Sequence, residues 1–218
     1  MKHIPGISIM VLAFLIFLSG CKKKSEDNVP VILPDEIAYT DLIPDTTVTS
    51  VRRWISVYGD AIPIPSDSSA SVSLDLDQDL VNDISLGAYT YYNFVSASNP
   101  GANYNYYAGV AMLDVKDSIA FGEIACYEYR VAKPFPLDSV ISDSSRFGRS
   151  CILYSRGSFP TCSIYAPNGD TYLGFKLFRN GGCRYGWIQI RFVSMSLTIK
   201  AFAINRTLNK PIRAGQKQ

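Results

Sequence analysis

Apolar and polar residues alternate with a period of two through much of this chain, and no window carries a convincing helical period. Val72, Leu74 and Leu76 alternate with Ser73, Asp75 and Asp77, and Ile84 and Leu86 alternate with Ser85 and Gly87. Successive side chains of a strand point to opposite faces, so this pattern marks strands with one buried face. The second segment runs on to Val95, and further candidates are 48–58, 106–115, 123–131, 151–154, 171–178, 185–193 and 196–204. Asn99-Pro100-Gly101, Pro167-Asn168-Gly169-Asp170 and Asn180-Gly181-Gly182 supply turn signals between them. The expectation is an all-β chain with one antiparallel β-sandwich, jelly-roll-like, over residues 36–218.

The start of the chain reads as an address. Met1-Lys2-His3 gives a positive beginning, and Ile9 to Leu18 is an unbroken apolar run of ten residues. As a helix it would span roughly 15 Å, too short for a bilayer core, so a secretory signal is expected. Leu18-Ser19-Gly20-Cys21 then resembles a bacterial lipobox. The resemblance implies cleavage before Cys21 and lipidation of that cysteine, leaving 1–20 as signal peptide and 21–35 as a lipidated tether. Each buried CH₂ of the acyl chains contributes about 0.8 kcal/mol of anchoring. Lys22 follows the cysteine, and an outer-membrane location is expected, at the periplasmic face or the cell surface.

Charge and histidine content exclude several functions. Lys+Arg 21 against Asp+Glu 19 gives a formal net charge of +2, which does not favour nucleic acid. The one histidine is His3, inside the signal, so neither a Ser-His-Asp nor a Cys-His site can form in the mature chain. Glu123 and Glu128 invite comparison with the paired carboxylates of sandwich-type retaining glycosidases. Ala125 stands where those enzymes have a central aspartate, and an offset of five places the two glutamates on opposite faces of a regular strand. No catalytic residue is assigned.

Three sets of residues are candidates for structural or binding chemistry. Cys126, Cys151, Cys162 and Cys183 remain after lipidation, and an even number in an exported chain predicts two disulfides. Three connectivities are open, Cys126–Cys151 with Cys162–Cys183 among them. Asp75, Asp77, Asp79 and Asp83, with the Val81 carbonyl, have the DxDxDxxxD spacing of a calcium loop, since a hard cation takes clustered oxygens. Leu80 replaces the usual glycine there, and the alternative is an exposed acidic edge and turn. Tyr185, Trp187, Gln189 and Arg191 share one face of a strand, opposite Ile188, Ile190 and Phe192. That row suits a sugar ligand; alternatively, Trp187 is buried and Arg191 pairs with a carboxylate.

The region 170–215 carries a family resemblance. Tyr172-Leu173-Gly174-Phe175, Tyr185-Gly186-Trp187-Ile188 and Asn205-Arg206-Thr207-Leu208-Asn209-Lys210-Pro211-Ile212-Arg213-Ala214-Gly215 resemble a motif series of uncharacterised secreted or surface lipoproteins of the Bacteroidota. That group has an Asp-rich segment in the slot of Asp75 to Ile84. The resemblance implies a β-sandwich and a cell-surface role, without an enzymatic activity. The expected function is a non-catalytic, lipid-anchored envelope protein that binds or presents a glycan or an envelope protein. A carbohydrate-binding module, or a degenerate glycosidase-like sandwich, is the alternative.

Overall fold

The structure, a computed structural model, describes residues 36–50, 54–57, 60–63, 68–93, 103–126, 129–156, 162–163, 169–193 and 195–218; side chains at 54–68, 91–105, 123–129 and 155–163 lie outside the description. The expected signal peptide, the expected tether with Cys21, the expected Asn99-Pro100-Gly101 turn and Glu128 fall outside it too.

The described strands, in chain order, begin with β1 (Ile37–Thr49), β2 (Trp54–Val57), β3 (Asp60–Pro63), β4 (Ser68–Leu74), β5 (Ile84–Asn93) and β6 (Asn103–Met112). They continue with β7 (Ser118–Cys126), β8 (Tyr129–Ala132), β9 (Pro134–Phe135), β10 (Val140–Ile141), β11 (Arg146–Gly148) and β12 (Ser150–Arg156). The last are β13 (Cys162–Ser163), β14 (Asp170–Arg179), β15 (Gly182–Val193), β16 (Ser196–Asn205) and β17 (Ile212–Arg213). The chain is all-β, as its alternation predicts, and no described helix is long and apolar enough to cross a membrane.

Hydrogen bonding links most strands in one path, β1-β16-β15-β14-β7-β8-β12-β6-β5-β4. Pairing among the described strands is antiparallel except for one parallel bridge, Ile152 to Val131, between β12 and β8. The path curls nearly into a barrel, so that β1 at one end touches β4 and β5 at the other. Leu86, Val110 and Leu153 from one half therefore share a core with Phe175, Ile188 and Phe202 from the other.

Local sequence explains the main connections. Asn180 and Gly181, at φ 51 and 78, form the two-residue turn between β14 and β15, where Arg179 pairs with Gly182. Positive φ at both positions matches the right-handed twist of a hairpin, which favours Asn-Gly. β1 goes beyond the expected 48–58 segment. Its Pro44 lacks an N–H, and the register against β16 shifts between Asp41 and Thr46, which accommodates that proline in a terminal strand of the path.

A second cluster covers the outer face of β14, β15 and β16. Phe135, Ile141, Ile212 and Ala214 pack there on Tyr185, Trp187, Ala201 and Ala203. β10 and β17 form a small ribbon, with Ile141 opposite Ile212, that lays the C-terminal residues over this face. β15 is consequently buried on both sides.

Candidate functional site

The Asp75–Asp83 segment leaves β4 and curls into a tight loop before β5. Asp75 draws it inward, its Oδ1 accepting the Asp79 N–H at 3.2 Å and its Oδ2 the Leu80 N–H at 2.7 Å. Gln78 and Leu80 take left-handed backbone angles, φ 64 and 72, so the loop curls although Leu80 has no glycine's freedom. Asp83 closes it by accepting the Leu76 N–H at 2.6 Å, while its own N–H donates to the Leu74 carbonyl.

One ligand oxygen from each of Asp75, Asp77 and Asp83 lies within 4.8 Å of the others, as a cation site requires. Asp79 does not join them; its Oδ1 accepts the Val81 N–H within the loop. The positive charge in the cluster comes from Arg179, the last residue of β14. Its Nε donates to Asp77 Oδ2 at 2.8 Å, its Nη2 to Asp83 Oδ1 at 2.5 Å, and its Nη1 to both oxygens of Asp117. Arg184 adds a weaker contact to Asp77 at 3.6 Å. Of the buried carboxylate oxygens in this cluster, Asp77 Oδ1 has no hydrogen-bond partner. Calcium takes about six to eight oxygens, and the arrangement with Arg179 seated falls well short of that shell.

The electrostatics reflect this crowding. Burial pushes Asp83 up to about 6, reinforced by Asp77 and Asp117, against the opposing Leu76 N–H and Arg179. Asp117 also rises, chiefly through burial, although the Phe178 N–H and Arg179 hold it down. Neither Arg179 nor Asp117 carries a sequence signal; Arg179 sits 102 residues from Asp77 and 62 from Asp117.

The row Tyr185, Trp187, Gln189 and Arg191 is not an open ligand face, and this corrects the expectation from strand alternation. Tyr185 and Trp187 are fully buried. Trp187 packs edge-on against Tyr172 at 5.2 Å, and its Nε1 donates to the Gln216 carbonyl at 3.1 Å. Gln189 and Arg191 are both turned to Asp170, at 3.1 and 2.6 Å, and Lys200 joins them at 2.9 Å. Burial alone would raise Asp170, but the hydrogen bonds from Lys200 and Arg191 outweigh it and hold the carboxyl below its ordinary value.

Among the described cysteines, Cys151 and Cys183 are not bonded to each other, and both stand as free thiols. The side chains of Cys126 and Cys162, like that of Glu123, lie outside the described residues.

A groove of about 500 Å³ opens on the outer face of β5, β6 and β12. Ser85, Ala111 and Ser150 stand in register across these strands, and Gly87, Gly109 and Ile152 form the next row. The Tyr89 ring lies back over Gly87, where a Cβ would come within 2.5 Å of its hydroxyl oxygen. Glycine inside a strand signals such a close approach, so Gly87 and Gly109 were the available sequence clue to this surface. Arg130 forms another part of the lining; its guanidinium lies 5.2 Å from the Phe121 ring centroid. Cys151 also borders the groove, its thiol pushed up to about 12 by burial despite the nearby Arg130. No family model, curated protein or solved structure matches the chain.

Proposed function

We propose that this chain is a non-catalytic, lipid-anchored envelope protein whose β-domain serves as a binding module. The groove carries this reading. Among its described residues the lining presents an aromatic ring, a guanidinium and hydroxyls, and neither a carboxylate nor an imidazole is among them to move a proton. Cys151 is a poor nucleophile there, because a thiol held near 12 is protonated at neutral pH. The buried carboxylates on the other side of the chain's chemistry are engaged by Arg179, which supports a role in holding the loop.

The anchor rests on Leu18-Ser19-Gly20-Cys21, and the outer-membrane location on Lys22, which follows the cysteine where an aspartate would favour the inner membrane. Metabolic labelling with an alkyne fatty acid tests it. Label in the outer-membrane fraction is expected for the full chain and its loss for Cys21→Ala; an unlabelled, unanchored product would overturn the anchor. Purified protein is expected to release no reducing sugar from a polysaccharide panel, and sustained release abolished by Glu123→Gln would overturn the non-catalytic half.

A further inference from the structure

The groove has a more specific chemistry than a general binding surface. Tyr89 is 41% exposed although its ring lies along the sheet over Gly87, which leaves aromatic surface available for stacking. An apolar sugar face packs on such a ring. Ser85 on β5 and Ser150 on β12 flank Ala111 of the intervening β6, so their small hydroxyls stand two strand spacings apart, roughly 9–10 Å, and a hydroxyl can both donate and accept. Exposed Ser73, opposite Ser85 on β4, prolongs this row beyond the groove.

Arg130 decides the charge. A Cβ on Gly148 would approach its Nη1 within 2.6 Å, so the missing side chain leaves room for the guanidinium to lie there. No described carboxylate pairs with it, in contrast to Arg179, Arg191 and Arg206, which all hold an acid. No acid is among the described residues of the groove lining either. A guanidinium that lines the same groove as a stacking ring and neutral hydroxyls is complementary to a sugar polymer that carries carboxylates.

We infer that this groove is a subsite for an acidic polysaccharide, with one sugar ring stacked on Tyr89, a carboxylate of the polymer on Arg130 and hydroxyls of successive rings facing Ser85 and Ser150. The inference rests on the reading of the domain as a binding module and assigns its ligand class. The open side of the groove, continued by Ser73, suits a segment of polymer.

Calorimetric titration of the full lipidated chain in detergent tests this, with oligogalacturonate as the probe. Neutral galacto-oligosaccharide and monomeric galacturonate are the comparisons. Expected are preference for the acidic oligomer over both, and weakening with added salt. Arg130→Gln should cost roughly ten- to a hundredfold in affinity and remove the preference for acid. Tyr89→Ala should cost about tenfold for acidic and neutral sugars alike. Arg191→Gln, on the covered half of the sheet, should bind as the wild type does. No binding by the wild type, equal binding of neutral and acidic oligomers, or an unaffected Arg130→Gln of unchanged melting temperature would overturn the assignment. Equal affinity for monomer and oligomer would overturn the polymer. Fatty-acid labelling reads the anchor separately, so failure of the groove leaves that result standing.

Discussion

Arg179 Nη1 donates to both carboxylate oxygens of Asp117, each at 3.1 Å, and so ties the end of β14 to the start of β7. The same guanidinium holds Asp77 and Asp83, and the three acid side chains are only 3%, 2% and 0% exposed for Asp77, Asp83 and Asp117. Removing one partner of a buried ion pair strands the others, which costs about 3–5 kcal/mol. Arg179→Met should lose stability on that scale in urea unfolding, and Arg179→Lys should not restore it, because an ammonium lacks the planar fork. A wild-type unfolding midpoint in Arg179→Met would contradict this account.

Arg179 also competes with any cation for Asp77 and Asp83. Its removal frees those oxygens beside Asp75, with one oxygen of each of the three acids within 4.8 Å of the others. Millimolar calcium should therefore raise the melting temperature of Arg179→Met more than that of the wild type. Equal shifts, or none in either protein, would sink the idea that the loop takes a cation when the guanidinium is absent.

Asp83 makes the cluster sensitive to pH. Its folded value, about 6, lies above the ordinary 3.8, so the folded state binds its proton more tightly than the unfolded state. The stabilising contribution is fully present below the unfolded value and is lost as pH rises through about 6. Asp83→Asn has no proton to lose. Wild type should lose stability relative to Asp83→Asn between about pH 4 and pH 7. A constant difference across that window would rule the linkage out.

The alternation of period two was sufficient for the all-β class, and Asn180-Gly181 for the hairpin between β14 and β15. It was misleading on β15, where Tyr185 and Trp187 alternate with Ile188 and Ile190 as if one face were free. The cover over them comes from strands of two residues, β9, β10 and β17, too short to show any period. The motif residues gain a structural reading here. A Cβ on Gly174 would meet Phe135 at 2.9 Å, and one on Gly215, at φ 84, would meet Leu137 at 2.4 Å. Gly186 faces the other layer, with the Phe175 ring 2.0 Å from where its Cβ would stand. Gly215 also needs its positive φ, but the crowding at Gly174 and Gly186 comes from other strands, and contacts across strands are likewise why Arg179 and Asp117 were not legible beside the aspartates they join.

The two described thiols should react at different rates. Cys151 is buried and its thiol is pushed up to about 12, whereas Cys183 is partly exposed on β15. A maleimide pulse on native protein followed by peptide mapping should modify Cys183 first, and Cys151 only as the domain unfolds. Equal modification of the two in folded protein would contradict the burial of Cys151, and protection of both until reduction would place them in disulfides.

The C-terminal residues act as a strap on Trp187. The indole N–H donates to the Gln216 carbonyl, and Ile212 and Ala214 pack in the same cluster as the ring. Removing 214–218 would leave that donor without its partner, at about 1–3 kcal/mol, and take away part of the apolar cover. The truncated chain should unfold at lower urea, and in a Trp54→Phe background its emission should shift to the red. Gln216→Ala is the discriminating control. The acceptor is a main-chain oxygen, so this variant keeps the bond to Trp187 and should keep the wild-type emission maximum. A truncated chain with unchanged emission and stability would show that Trp187 is covered by β10 and its neighbours without help from the strap.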